Sequence, residues 1–358
     1  MAKRTQQVQK PLAGRVAVVA GATRGAGRGI ARALGEVGAI VYCTGRSVKG
    51  NPSTYKRQET IDETAEMILA GGGTAIPVRV DHTVESEVEV LFARVDREQG
   101  RLDIVVDSVG GEDPTMGAYG WFWTADLTNS AKALENSLLS HIITAKHAAR
   151  IMMRARSGLI VEVTENNLMG AGGNPAAQIV KLGLKGQTLN MAAELYPYSV
   201  AVVAITPGFL RSESMLEHFG VTEKNWRDGG KTDKNFLKSE SPLYVGRAVV
   251  ALAQEPKIMK RTGQLFSSWE LAREYKFTDA DGTRPDWGKN KIDLSRLPAG
   301  LADYIRIGNA LQLQWLTTVT QRTKSFAKQL PRIASPKKRG PKSRSRPARS
   351  KTQSRKRR

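Results

Sequence analysis

The sequence predicts a doubly wound α/β domain with a seven-stranded parallel sheet, on two observations. Seven short β-branched runs alternate with longer helical patterns between Arg15 and Ser268, and a glycine-rich turn directly follows the first run. In chain order the runs are RVAVVA (15–20), AIVYCT (39–44), TAIPVRVD (74–81), LDIVVD (102–107), GLIVEVT (158–164), VAVVAIT (200–206) and TGQLFS (262–267). They are nearly continuous in apolar residues, the pattern of strands covered by helices on both faces. After them, SSWELAREYKFTDADGTRPDWG is rich in Asp, Gly, Pro and Trp and reads as an ordered extension with turns. Residues 299–330 carry Leu301, Tyr304, Ile305, Trp315 and Val319 near a 3.6-residue period, which predicts a helix packed on the domain or on a second subunit. The expected organisation is a basic N-terminal arm (1–10), one domain (11–298) with a lid around 209–242, a C-terminal helix (299–330) and a disordered Lys/Arg-rich tail (331–358).

Charge separates the tail from the rest. The chain has 358 residues, 40% of them hydrophobic, enough to fill a sizeable core, and a formal net charge of +21. Residues 331–358 hold 13 Lys/Arg and no acid and residues 1–10 hold three more, which leaves +5 for 11–330. Such a tail is the electrostatic footprint of a polyanion binder, and nonspecific nucleic-acid association through 331–358 is expected, with an anionic membrane or no defined partner as alternatives. It has no aromatic residue to stack on bases, so binding would be sequence-tolerant and salt-sensitive. The single cysteine, Cys43, excludes an intramolecular disulfide and a thiolate metal cluster. No apolar run approaches the roughly 20 residues of a spanning helix, and the start, MAKRTQQVQK, has no signal-type hydrophobic segment. A soluble, cytoplasmic protein without a metal or a transmembrane segment is expected.

The turn after the first run is AGATRGAGRG, in which Gly21, Thr23, Arg24, Gly25 and Gly27 bend the chain tightly and present helix amides to a phosphate. Set between a strand and the helix GRGIARALGEVG, this spacing predicts a dinucleotide site. It resembles the glycine motif of the short-chain dehydrogenase/reductase family, and the resemblance extends over about residues 11–270. Within that family the stretches PLAGRVAVVAGATRGAGRGIA, TPGFLRSESMLEHFG and SSWELAREY look most similar to a bacterial branch. The second run ends in Arg46 and Ser47, where dinucleotide folds select the ribose. An acid there would favour NAD, whereas Arg46 with Arg24 offers two guanidinium groups to a 2′-phosphate, so NADP is expected over NAD. The resemblance also implies that Asp81 contacts the adenine, with His82 beside it, and that Gly110, Pro207, Gly208 and Ser212 line the cofactor. Asp81 also reads as a helix cap. Where the family writes Asn-Asn-Ala-Gly, this chain has Asp107-Ser108-Val109-Gly110.

The family's chemistry uses Asn, Ser, Tyr and Lys, with Tyr as general acid or base and Lys lowering its pKa from about 10. The helix QIVKLGLKGQTLNMAAELY places Lys181 at the lysine, where it would also bind the nicotinamide ribose. Four residues upstream stands Ala177, so the phenol is absent. Thr164 takes the serine position and Asn136 the relay asparagine. Glu165, His141 and Tyr119 are candidates to replace the phenol, and structural roles compete for each. Met215, Leu216, Phe219 and Trp226 from the lid, with Tyr119, Trp121, Phe122 and Trp123 opposite, are expected either to line a substrate pocket or to pack the lid on the domain. The resemblance implies hydride transfer between NADP(H) and an unidentified carbonyl or alcohol, and a homo-oligomer formed through the helices bearing Asn136 and Lys181. The alternative is a catalytically weak or inactive NADP-binding protein tethered to nucleic acid by its tail.

Overall fold

Each β-branched run becomes a strand: β1 (Val16–Ala20), β2 (Ile40–Gly45), β3 (Thr74–Arg79), β4 (Ile104–Asp107), β5 (Gly158–Val163), β6 (Val200–Thr206) and β7 (Leu265–Ser267). The computed structural model describes residues 10–52, 57–110, 123, 127–165 and 175–289. The residues before Lys10, the expected helix 299–330 and the tail 331–358 lie outside these, as do Tyr119, Trp121 and Phe122. The strands form one sheet in the order β3-β2-β1-β4-β5-β6-β7, with every neighbouring pair parallel.

Several strands are shorter than their runs, and in β3 and β7 the reasons are local. β3 stops at Arg79 because Asp81 Oδ1 accepts from Thr83 N at 3.0 Å and turns the chain. β7 starts only at Leu265, since Gly263 has φ +79° and Thr262 Oγ1 is tied to Val202 N at 3.0 Å. Both lie at sheet edges. Edge position also explains why β3 is more exposed than the other strands and tolerates Pro77.

Strand pleating divides the core. Ala17, Val19, Val41, Ile104, Val106 and Val161 face α1 (Gly25–Glu36), α2 (Ile61–Ala70), α8 (Pro242–Gln254) and α9 (Ser268–Tyr275). Val16, Val18, Tyr42, Val105 and Ile160 face α3 (Glu85–Gln99), α5 (Ser140–Ala155) and α6 (Pro175–Leu195). Emptying one such site, as Ile104→Ala would, costs about 2–5 kcal/mol. Side-chain oxygens of Thr60 and Ser267 cap α2 and α9 by accepting from Glu63 N and Glu270 N. α1 and α8 cross closely: a Cβ on Gly246 would lie 2.5 Å from Gly29 O.

From β1 the chain winds outward to β2 and β3, then crosses back through α3 to β4 on the other side of β1. A crevice therefore opens at the carboxyl ends of β1 and β4, where a doubly wound sheet binds its ligand.

Candidate active site

The floor of the crevice is the turn from β1 into α1. Gly21 has φ +76°, and a Cβ there would meet Ser108 O at 2.6 Å; one on Gly27 would meet Gly21 O at 2.1 Å. Only glycine leaves this cradle open to a phosphate. The helix end already attracts an anion from the chain itself: Gly25 N donates to Glu213 Oε2 at 2.7 Å, and Arg28 Nη1 lies 3.3 Å from the other carboxylate oxygen. Backbone amides, a guanidinium and a Cβ-free turn form a donor set that fits the pyrophosphate of a dinucleotide.

Thr23 is nearly buried, and its hydroxyl lies 2.8 Å from where a Cβ on Gly45 would stand. Arg24 Nη1 sits 3.8 Å from Glu59 Oε2, and Arg46 Nη1 3.7 Å from Asp81 Oδ2. Arg46 and Asp81, assigned separately to ribose and adenine, thus meet at one rim. Asp81 also receives hydrogen bonds from Thr83 N and Oγ1, the cap-like role. Burial opposes its charge, but Thr83, Arg46 and Arg79 hold its carboxyl below the usual range. Ser47 is buried, and its carbonyl anchors Ile61 at the start of α2. His82 points inward: Nε2 lies 2.8 Å from Thr44 Oγ1 and Nδ1 2.9 Å from Thr144 Oγ1, so both ring nitrogens are engaged within the protein. Burial pushes its pKa down to about 4 and keeps it neutral.

The positions expected to be catalytic lie on the π turn before α5, at the end of β5 and on α6. Asn136 lies in a π turn, Glu135–Leu139, between α4 (Leu127–Leu134) and α5, the kind of bulge that re-aims a side chain. Gly110 approaches Ser137 so closely that a Cβ would meet its Oγ at 2.0 Å. Thr164 continues β5, donating its amide to Ile205 O at 2.9 Å. Its buried hydroxyl has no hydrogen-bond partner among the described residues. On α6, Lys181 Nζ is 2.5 Å from Glu165 Oε2, so Glu165 anchors the lysine at the end of β5. Ala177 is buried one turn earlier. Lys185, which sequence reasoning missed, is buried one turn later, its amine pushed down to about 8 by burial and by Lys181. Its i, i+4 spacing from Lys181 was the available signal.

Past β6, Gly208 N donates to Glu240 Oε2 at 2.9 Å, which fixes the turn after Pro207. Ser212 precedes α7 (Glu213–His218), and its buried Oγ lies 3.0 Å from Ser214 Oγ. In the segment expected to form a lid, Phe219 stacks on Phe236 at 4.2 Å and Trp226 packs edge-on to the same ring at 6.0 Å, so these two aromatics hold the segment together. A cleft of about 380 Å³ opens between Trp226, Leu237 and Pro285. None of Asn136, Thr164 and Lys181 lines it.

Sequence reasoning also missed the company that His141 keeps. Its Nδ1 is 2.5 Å from Glu162 Oε2, and its Nε2 is 3.1 Å from Val109 O and 3.3 Å from Asp107 Oδ1. All three side chains are almost wholly buried. The one sequence signal was an acid inside each of the apolar strands β4 and β5.

Among the described residues no helix is long and apolar enough to cross a membrane. The sequence profile described as Enoyl-(Acyl carrier protein) reductase matches residues 21–265. Dehydrogenase/reductase SDR family member 1 of Mus musculus is 33% identical over 317 residues, 86% of this chain and 93% of that protein. The Homo sapiens protein is 33% identical over 276 residues, covering 76% and 85%. Among solved structures, an actinorhodin polyketide ketoreductase with NADPH superposes at a TM-score of 0.59 and 22% identity, over 73% of this chain and 97% of that one. The NADPH-dependent reductase YwfH, involved in bacilysin biosynthesis, gives 0.57 and 20% over 71% and 96%. These structures share its fold. With the glycine cradle, the parallel sheet and Lys181 on α6, the matches lead to one conclusion: the chain belongs to the short-chain dehydrogenase/reductase family.

Proposed function

We propose that this protein is an NADP(H)-dependent oxidoreductase that interconverts a carbonyl and an alcohol, using Asn136, Thr164 and Lys181. The observation that carries the reading is the ion pair between Lys181 and Glu165, which ties the ammonium to the residue that follows Thr164 at the end of β5. Gly21, Gly25 and Gly27 would hold the pyrophosphate, Arg24 and Arg46 the 2′-phosphate, Asp81 the adenine end, and Gly110, Pro207, Gly208 and Ser212 the nicotinamide end. When bound, the nicotinamide supplies or accepts the hydride. Lys181 holds the ribose hydroxyls, Thr164 donates to the substrate oxygen, and Asn136 anchors a water. Exposed Leu139, Ile142, Ile179 and Leu182 on and beside α5 and α6 support a homo-oligomer through these helices.

Ala177 supports a second reading, an NADP-binding protein of low or no turnover; the tail 331–358 supports nucleic-acid association, and the lone Cys43 supports a reducing, cytoplasmic location. Fluorescence titration with NADPH and NADH, then NADPH consumption against aldehydes, ketones and quinones, separates the two readings. Expected are tighter binding of NADPH and measurable turnover by the unmodified protein. Binding of NADPH with turnover only by the Ala177→Tyr variant selects the second reading, and failure to bind NADPH sinks both.

A further inference from the structure

The buried cluster of Asp107, His141 and Glu162 has no part in the roles assigned above. Asp107 ends β4 and Glu162 is its register partner in β5, so the two carboxyl groups stand side by side on the face covered by α5. His141, in the first turn of α5, sits between them with no exposure to solvent. His82 flanks the cluster from the loop after β3; it is neutral and bound to Thr44 and Thr144.

The contacts around His141 require an extra proton. Val109 O only accepts, so Nε2 must carry a hydrogen. At 2.5 Å, Nδ1 and Glu162 Oε2 must also have a hydrogen between them, since a bare nitrogen and a bare carboxylate oxygen repel. The proton is present whichever atom owns it. Burial opposes the charge on His141, but Asp107 and Glu162 outweigh it and push its pKa up to about 9.

The cluster also has an exit. Glu162 Oε1, Asp107 Oδ2 and Thr164 Oγ1 are buried without a hydrogen-bond partner among the described residues. Glu162 and Thr164 are two residues apart at the end of β5, roughly 7 Å along the strand, so a water between their side-chain oxygens would link them. Buried polar atoms in such a position are satisfied by water.

We propose that the His141–Glu162 pair, backed by Asp107, is the proton store that takes over from the missing phenol, delivering its proton through a bridging water and Thr164. The proposal rests on the oxidoreductase reading. In the reductive direction the carbonyl carbon takes a hydride from the reduced nicotinamide, which becomes oxidised, and the π electron pair moves onto oxygen. That oxygen takes the Thr164 hydroxyl proton, Thr164 recovers one from the water, and the water takes the proton shared by Nδ1 and Oε2. Solvent reloads the pair. In alcohol oxidation the same path runs backward. His141, Glu162 and Asp107 are thus positioning residues acting through Thr164.

NMR of the protein labelled with 15N-histidine reads the proton without turnover. Both nitrogens of His141, assigned by their loss in His141→Gln, are expected to be protonated at pH 8, and Glu162→Gln is expected to lower the midpoint by at least about one unit. An Nδ1 that neither carries a hydrogen nor shares one with Glu162 between pH 6 and 8 overturns the proposal. NADPH oxidation with 9,10-phenanthrenequinone supplies the second readout. Glu162→Gln is expected to slow it on the order of 100-fold when Ala177 is present and less than tenfold beside Ala177→Tyr. Thr164→Val, which leaves the buried charges intact, is expected to cause a similar loss while the His141 protons persist. Equal losses in both backgrounds make the cluster merely structural and overturn the proposal. Turnover that requires Ala177→Tyr also overturns it but leaves the oxidoreductase scaffold standing, whereas failure to bind NADPH removes both.

Discussion

Glu213 reaches back from the first residue of α7 to Gly25 at the start of α1, and its carboxylate accepts the Gly25 amide at 2.7 Å. A negative group of α7 thus occupies the helix end proposed to hold the cofactor phosphates. Removing its charge is expected to favour the incoming phosphates. Glu213→Gln should tighten NADPH binding about 3–10-fold, the worth of one charge at a helix terminus with a nearby guanidinium. Fluorescence titration at low salt checks this, and weaker binding would show that Glu213 supports the cofactor instead.

Arg46 carries the choice between the two dinucleotides. Its guanidinium is two-fifths exposed and its partner Asp81 is 3.7 Å away, so it can turn to a 2′-phosphate at small cost. Arg46→Ala should weaken NADPH about tenfold and leave NADH within twofold, since only NADPH carries the group that the charge-assisted bonds recognise. A parallel loss for both cofactors would assign Arg46 to rim structure.

Arg211 joins the lid to the extension after β7. Nearly wholly buried, it donates to Ser239 O at 2.6 Å and to Glu223 Oε1 at 3.0 Å, lies 3.5 Å from the buried Asp279, and stacks over Trp226 at 4.0 Å. Arg211→Ala leaves the Asp279 charge without its cation and should cost about 3–5 kcal/mol in chemical denaturation. A loss below about 1 kcal/mol would mean that the lid contributes little to folding.

Glu240 makes stability depend on pH. Its buried carboxyl accepts from Gly208 N at 2.9 Å and Ser268 Oγ at 2.6 Å, yet burial outweighs those bonds and pushes its pKa up to about 8. An acid whose pKa is raised on folding binds its proton more tightly in the native state. Its contribution is therefore fullest below the unfolded value and fades as pH rises toward about 8. Thermal melts from pH 5 to 8.5 should show Glu240→Gln gaining about 2–5 °C on the unmodified protein across that range. A constant gap would mean that Glu240 keeps an ordinary pKa.

Local sequence was enough for the strands and for the cofactor cradle. A β-branched apolar run has few ways to be satisfied other than as a covered parallel strand, and a turn whose glycines touch neighbouring backbone admits no other residue, so β1 to β7 and Gly21 to Gly27 were legible from adjacent residues alone. Lys181, Thr164 and Ala177 were legible through the family resemblance. Sequence did not show that Asp107, His141 and Glu162 meet, because they come from three elements and only the register of β4 against β5 and the seating of α5 bring them within hydrogen-bond reach. Nor did it show that His82 turns inward to Thr44 and Thr144, or that Glu213 covers the Gly25 amide. Those outcomes depend on long-range packing. A buried polar group takes the partner that the fold sets beside it, and that partner is dozens of residues away in the chain.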